Sequence, residues 1–183
     1  KWGADFVAMP GHKGLYGPQG TGLLLCGQIP EPLICGGTGS DSLSPYMPEY
    51  LPDRLEAGTV NVPGAAGLAV GIGYVKRVGV DTIGYRERMQ ARATAQGLRA
   101  LGYRVFFGAH QGGTVSFLPN MDCEEMAEKL ASAGIAVRAG LHCAPLAHRS
   151  AGTLDTGTVR VSFGHDASAL QTRQFLREMG KLS

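Results

Sequence analysis

Short apolar runs between breakers open the chain. Asp5 to Met9 and Thr21 to Cys26 each hold a brief hydrophobic stretch bounded by Gly or polar residues, which predicts two short buried strands. The segment Pro10-Gly-His-Lys-Gly-Leu-Tyr-Gly-Pro-Gln-Gly20 between them has too many breakers for helix or strand and is predicted as a loop. Residues 27–58, with Pro30, Pro32, Pro45, Pro48 and Pro52, are expected to be irregular. Pro63 suits the first turn of a helix running towards Val78. Within that helix Gly64, Gly67 and Gly71 recur three and four apart and leave one face nearly bare backbone. Another element can approach such a face closely, at about 1 kcal/mol of lost helix propensity per glycine.

The remainder alternates helical and extended patterns. Helices are predicted at about 81–101, 122–133 and 167–181, and strands at 103–107, 114–118, 135–138 and 158–163. Asp122 with Glu125 three residues on gives the best helix start, followed by Met126, Leu130 and Ala133 on one face. Ser168 with Gln171 repeats the arrangement ahead of the stripe Phe175, Met179 and Leu182. Helices interleaved with a few strands predict an α/β or α+β sandwich.

Composition narrows the class. Hydrophobic residues make up 44% and charged residues 17% of 183, a globular mixture that is neither disordered nor membranous. The longest weakly polar stretch, Gly64 to Val75, ends at Lys76-Arg77 and is too short to span a bilayer. Glycine is the outlier, 28 of 183, about twice ordinary usage. Residues 1–75 carry three basic and six acidic side chains, and residues 76–183 carry fourteen and nine, so −3 and +5 give the net +2. That balance gives no reason to expect nucleic acid or an anionic membrane as partner. No charged-then-apolar leader follows Lys1, so no secretory signal is expected and the start is read as a cut. Cys26, Cys35, Cys123 and Cys143 show neither a C-x-x-C pair nor zinc-ligand spacing, so no metal site is expected. Reduced thiols in a cytoplasmic protein are the expectation.

Four stretches could carry chemistry. Gly11-His12-Lys13 and the glycine loop after it can aim a lysine inward, although for the lysine taken alone a surface position in a flexible loop is the better reading. Glu56-Ala-Gly-Thr-Val-Asn-Val-Pro63 offers either a phosphate site made by Thr59 and free amides at a helix start, or simply a helix capped by Asn61. Arg138-Ala-Gly-Leu-His-Cys143-Ala-Pro-Leu-Ala-His148 surrounds a cysteine with cations, and positive neighbours raise a thiol's thiolate fraction. The alternative there is a buried cysteine at a strand end. Arg160, in the alternating strand Gly157-Thr-Val-Arg-Val-Ser-Phe163, needs an anionic partner, either a ligand carboxylate or a structural salt bridge.

Taken in order, these stretches resemble the C-terminal half of a pyridoxal 5'-phosphate (PLP)-dependent class V aminotransferase-superfamily enzyme. The likeness is greatest to cysteine desulfurases with a short active-site cysteine loop, and to selenocysteine lyases. It runs the length of the chain and rests on Gly-His-Lys with Tyr-Gly-Pro-Gln-Gly-Thr-Gly, Glu-Ala-Gly-Thr-x-Asn, Arg-x-Gly-x-His-Cys-Ala-Pro and Gly-Thr-x-Arg-x-Ser. The resemblance implies a fold-type I transferase: residues 1–79 would finish the large α/β/α cofactor domain, and 80–183 would form a small α+β domain. Lys13 would form the Schiff base with PLP, His12 would help hold the cofactor phosphate, and Thr59 would reach the phosphate in a partner subunit, implying a homodimer. Arg160 would clamp the substrate carboxylate with help from Arg138. Cys143 would attack the sulfur of L-cysteine, becoming a persulfide as alanine leaves, and an acceptor protein would collect the sulfur.

The family also places a carboxylate against the pyridine nitrogen and a ring stacked on the cofactor, both upstream of the lysine and beyond where this sequence begins. Asp5 lies too close to Lys13 to replace that carboxylate. The chain is therefore expected to be a fragment, inactive at ordinary enzyme rates alone. The alternatives are another class V enzyme, such as a selenocysteine lyase or an aminotransferase, and a non-catalytic folded module.

Overall fold

The computed structural model describes residues 3–183. The chain divides into two compact units, one ending at Val78 and one running from Gly79 to Ser183.

In the first unit β1 (Phe6–Pro10) and β2 (Gly22–Cys26) pair antiparallel, with Phe6 opposite Cys26 and Pro10 opposite Gly22. Both strands fall within a residue of their expected positions. The irregular stretch that follows is tied together by Arg54. Its guanidinium donates to the carbonyls of Pro30 (3.0 Å) and Pro48 (3.3 Å) and pairs with Glu31 at 2.6 Å. Helix α1 (Val62–Val78) starts as Asn61 Oδ1 accepts the Gly64 N–H at 3.0 Å, with Pro63 in the first turn.

The bare face of α1 meets the loop between the strands. A Cβ on Gly67 would lie 3.1 Å from Pro18 Cγ, and one on Gly64 would lie 2.9 Å from Thr21 Cγ2. On Gly71 it would strike the carbonyls of Leu15 and Tyr16. The glycines thus let the loop lie directly on the helix. Tyr16 and Tyr74 meet edge-on at 5.4 Å between ring centroids and close the contact.

The second unit is a four-stranded antiparallel sheet of order β3-β4-β6-β5. Its elements are α2 (Val80–Ala100), β3 (Arg104–Phe106), β4 (Thr114–Leu118), α3 (Cys123–Ser132), β5 (Arg138–Gly140), α4 (Pro145–Ala151), β6 (Thr158–Ser162) and α5 (Ala169–Leu182). Alternation along the strands sends Val115, Phe117, Val159 and Val161 to one face. There they bury against Ala91, Ala95 and Leu98 of α2, Met126 and Leu130 of α3, and Phe175 and Met179 of α5. Both expected helix starts form: Asp122 accepts the Glu124 and Glu125 amides, and Ser168 with Gln171 makes a full capping box.

Two elements differ from expectation. The strand placed at 135–138 lies at 138–140. Ile135 and Val137 instead pack on the edge of the core ahead of the ladder, so their alternation reflects packing rather than pairing. Helix α4 was not foreseen. Pro145 opens it and Gly152, with φ 68°, ends it in the left-handed conformation, a start and stop legible in principle.

Candidate active site

Lys13 sits on a pinched loop. Gly11 N–H donates to Thr21 O and Gly17 N–H donates to Gly11 O, both at 2.8 Å, so the chain leaves and returns at one point. A Cβ on Gly17 would stand 2.6 Å from Leu68 Cδ1, so only glycine lets that neck close over the buried Leu68. The excursion 12–16 carries His12 and Lys13, both exposed, and turns back as Tyr16 N–H reaches Lys13 O at 3.0 Å.

Thr59 is exposed, and among the described residues nothing bonds its hydroxyl or N–H. The amides of the helix start after it are already engaged. Val62 N–H donates to Val60 O at 2.9 Å, Gly64 N–H to Asn61 Oδ1, and Ala65 N–H to Asn61 O at 2.9 Å. The Asn61 cap expected as the alternative forms, and Thr59 is the exposed hydroxyl just ahead of it.

The second unit brings the other expected residues together on the sheet face opposite the core. Cross-strand register aligns Phe106, Ser116, Arg160 and Arg138 in one row over β3, β4, β6 and β5, and residues directly opposite share a face. Two arginines side by side repel. Arg160 is half-buried, its Nε is sealed from solvent with no hydrogen-bond partner, and no carboxylate pairs with it among the described residues. Among the described residues the two guanidiniums thus form no ion pair with a carboxylate.

Cys143 stands beside this row. Leu141 to Ala144 form a tight turn in which Ala144 N–H donates to Leu141 O at 2.9 Å, while His142 and Cys143 have φ of 53° and 59°. Two successive left-handed non-glycine residues match a type I′ turn, a conformation side chains rarely adopt. The turn leaves the sheet through Gly140, φ 95°, whose backbone lies so near Gly157 that a Cβ there would meet Gly140 Cα at 2.9 Å. Cys143 is exposed, and Arg138 Nη2 donates to its Sγ at 3.8 Å. Cys123 contrasts with it. That thiol is buried, donates to Thr156 O at 3.1 Å, and has its pKa raised by burial and by Asp122 and Glu124.

Three contributors went unforeseen because they lie on other elements. Thr158 Oγ1 is 3.2 Å from His142 Nε2. Thr153 Oγ1 is 2.8 Å from His148 Nδ1, which fixes the buried histidine of α4. Arg104 Nη2 donates to Ala151 O at 3.2 Å and holds the C-terminal end of α4.

The Aminotransferase class-V family model matches residues 1–175. The chain belongs to the class V aminotransferase family. Over 191 aligned residues it is 38% identical to a probable cysteine desulfurase of Pyrococcus abyssi, covering 98% of this chain and 47% of that protein. The apo structure of a cysteine desulfurase from Thermococcus onnurineus superposes with TM-score 0.88 at 38% identity, over 98% of this chain and 47% of that one. The cysteine desulfurase CsdA of Escherichia coli gives 0.86 at 28% identity, over 97% and 46%. The chain therefore spans about half the length of the relatives it matches.

PLP is the cofactor of class V aminotransferases. The donor set fits it: an exposed primary amine for its aldehyde, with the imidazole of His12 and the unengaged hydroxyl of Thr59 available to a phosphate. No helix is long and apolar enough to cross a membrane among the described residues, nor does any cluster of His, Cys, Asp and Glu there suit a metal.

Proposed function

We propose that the chain is the C-terminal part of a PLP-dependent cysteine desulfurase, which converts L-cysteine to L-alanine and holds the sulfur as a persulfide on Cys143. The observation that carries this reading is the exposed Cys143 thiol on its left-handed turn, 3.8 Å from Arg138 and beside the unpaired Arg160. Residues 1–79 complete the cofactor domain and 80–183 form the small domain.

Lys13 would hold the cofactor's aldehyde covalently and, once displaced by substrate, move the Cα proton. His12 would contact the phosphate. Thr59 would reach the phosphate held by a second subunit, which makes the enzyme a homodimer. When bound, PLP supplies an electron sink conjugated to the substrate's Cα. Arg160 offers a planar two-pronged donor to the substrate carboxylate, and Arg138 supports it with a second positive charge. Cys143 attacks the substrate sulfur as thiolate. An S–S bond forms, the Cβ–S bond breaks, and the electron pair stays with carbon, which takes a proton and leaves as alanine. An acceptor protein then collects the sulfur. Four free cysteines suit a reducing, cytoplasmic setting.

Borohydride reduction of the complete enzyme with PLP, followed by peptide mass mapping, tests the cofactor half, with Lys13→Ala as control. A stable adduct confined to Lys13 is expected; scattered labelling that survives in Lys13→Ala would reject Lys13. In the complete enzyme, Cys143→Ala should lower sulfur release more than about 1,000-fold while PLP binding stays intact. Alanine accumulating from L-cysteine separates this reading from an aminotransferase, which would form a keto acid.

A further inference from the structure

The turn that presents Cys143 holds two left-handed residues, and only one of them reacts in the proposed chemistry. The other, His142, is tied to the sheet. Its Nε2 lies 3.2 Å from Thr158 Oγ1, at the first residue of β6, and its Nδ1 is shut away from solvent with no hydrogen-bond partner. The ring sits 5.6 Å from the His148 ring on α4. Every ionisable group that acts on it from the packed elements is basic: Arg138 from β5, Arg160 from β6 and His148 from α4. No carboxylate is among them.

We propose that neutral His142 is the positioning residue of Cys143: its bond to Thr158 pins the strained turn against β6, and gaining a proton releases it. The physical case has three parts. A left-handed pair of non-glycine residues is costly and persists only when its surroundings hold it there. Among the described residues two side-chain hydrogen bonds tie this pair to the sheet, and the His142 bond to Thr158 of β6 at 3.2 Å is much the shorter, against 3.8 Å from Arg138 of β5 to Cys143 Sγ. In the tautomer whose Nε2 donates to Thr158, a second proton would sit on the enclosed Nδ1, against three basic neighbours and with nothing to accept its hydrogen bond. Burial, and then Arg160, hold the imidazole pKa below its ordinary value, in keeping with that environment. The inference rests on the desulfurase reading only for the use made of Cys143; the peg itself is a property of the folded chain.

Amide hydrogen exchange by NMR on the whole chain, corrected for intrinsic pH dependence, reads the peg directly. The reporter is the Ala144 N–H, bonded to Leu141 O across the turn. Its protection should be constant above about pH 7 and fall as His142 takes up a proton. His142→Phe and Thr158→Val should each lower protection about tenfold at neutral pH, the worth of one hydrogen bond. His142→Gln, an uncharged donor of similar reach, should restore protection and remove its pH dependence. The Phe117 amide, in the core strand β4, serves as the folding control. Protection that is flat with pH in the wild type and unchanged in Thr158→Val and His142→Phe would overturn the proposal. Because neither PLP nor substrate is present, that result is distinguishable from failure of the desulfurase reading, which alanine formation and the loss of sulfur release in Cys143→Ala decide.

Discussion

Within the second unit, two cysteines in one fold receive opposite treatment from their neighbours. Cys123 sits among acids with its thiol enclosed and donating to a carbonyl, so both burial and charge disfavour its thiolate. Cys143 is exposed at a turn tip beside Arg138. Iodoacetamide at neutral pH should modify Cys143 while the fold is intact and spare Cys123 until the chain unfolds, as peptide mapping would read. His142 has a consequence for stability as well. Its pKa is lowered from the ordinary 6.5, so the unfolded chain binds the proton more tightly than the folded one. The stabilisation is complete above the unfolded value and is lost as pH falls through the lower folded value. Urea midpoints should therefore drop as pH falls below the ordinary 6.5 in the wild type, and less in His142→Gln.

At the scale of elements, helix α1 depends on which of its glycines faces the lysine loop. Gly71 meets the Leu15 and Tyr16 carbonyls, which are backbone and cannot swing aside, whereas Gly73 has nothing within 4 Å. Gly71→Ala should cost about 1–3 kcal/mol by overpacking. Gly73→Ala should stabilise the helix by about 1 kcal/mol through propensity alone. Exchange rates of the α1 amides would separate the two. The close approach at Gly64, Gly67 and Gly71 was legible in the sequence because glycine spacing alone specifies a bare helix face. The helix starts at Asp122 and Ser168 were legible for the same local reason. Strand β5 was misplaced because Ile135 and Val137 alternate like a ladder strand, and alternation cannot distinguish packing on a core edge from pairing. Helix α4 was missed because its seven residues are too few to show a period. At the site, Cys143 among cations and Arg160 in an apolar strand stood out by residue type, and the family resemblance supplied the roles proposed for them and for Arg138. Their assembly needed the register that sets Arg138 opposite Arg160, which no local pattern carries. Thr158 as the partner of His142 was invisible for the same reason.

Across the whole molecule, burial is uneven. The hydrophobic core that joins Ala91, Leu98, Phe117, Met126, Leu130, Val159 and Phe175 lies wholly in the second unit. In the first unit Leu68 is the one large apolar side chain that is fully covered among the described residues, at 4% exposure. Leu24 and Leu25 of β2, Leu33, Ile34, Leu43 and Val70 remain open, with Leu33 and Leu43 at 97%. Each large aliphatic side chain left open forfeits about 1.5–3 kcal/mol of burial, so the first unit lacks the driving force that holds the second. An unburied two-stranded sheet is marginal in water at best. The two units should then differ in autonomy. Expressed separately, residues 79–183 should unfold in one cooperative thermal transition by circular dichroism. Residues 3–78 should give a broad, non-cooperative change and bind a dye specific for exposed apolar surface. A cooperative transition in the shorter piece would show that the glycine-faced contact between α1 and the Lys13 loop suffices by itself. The expected result instead makes the lysine site dependent on further chain to cover β2 and α1, consistent with a match to only about half of each relative's length.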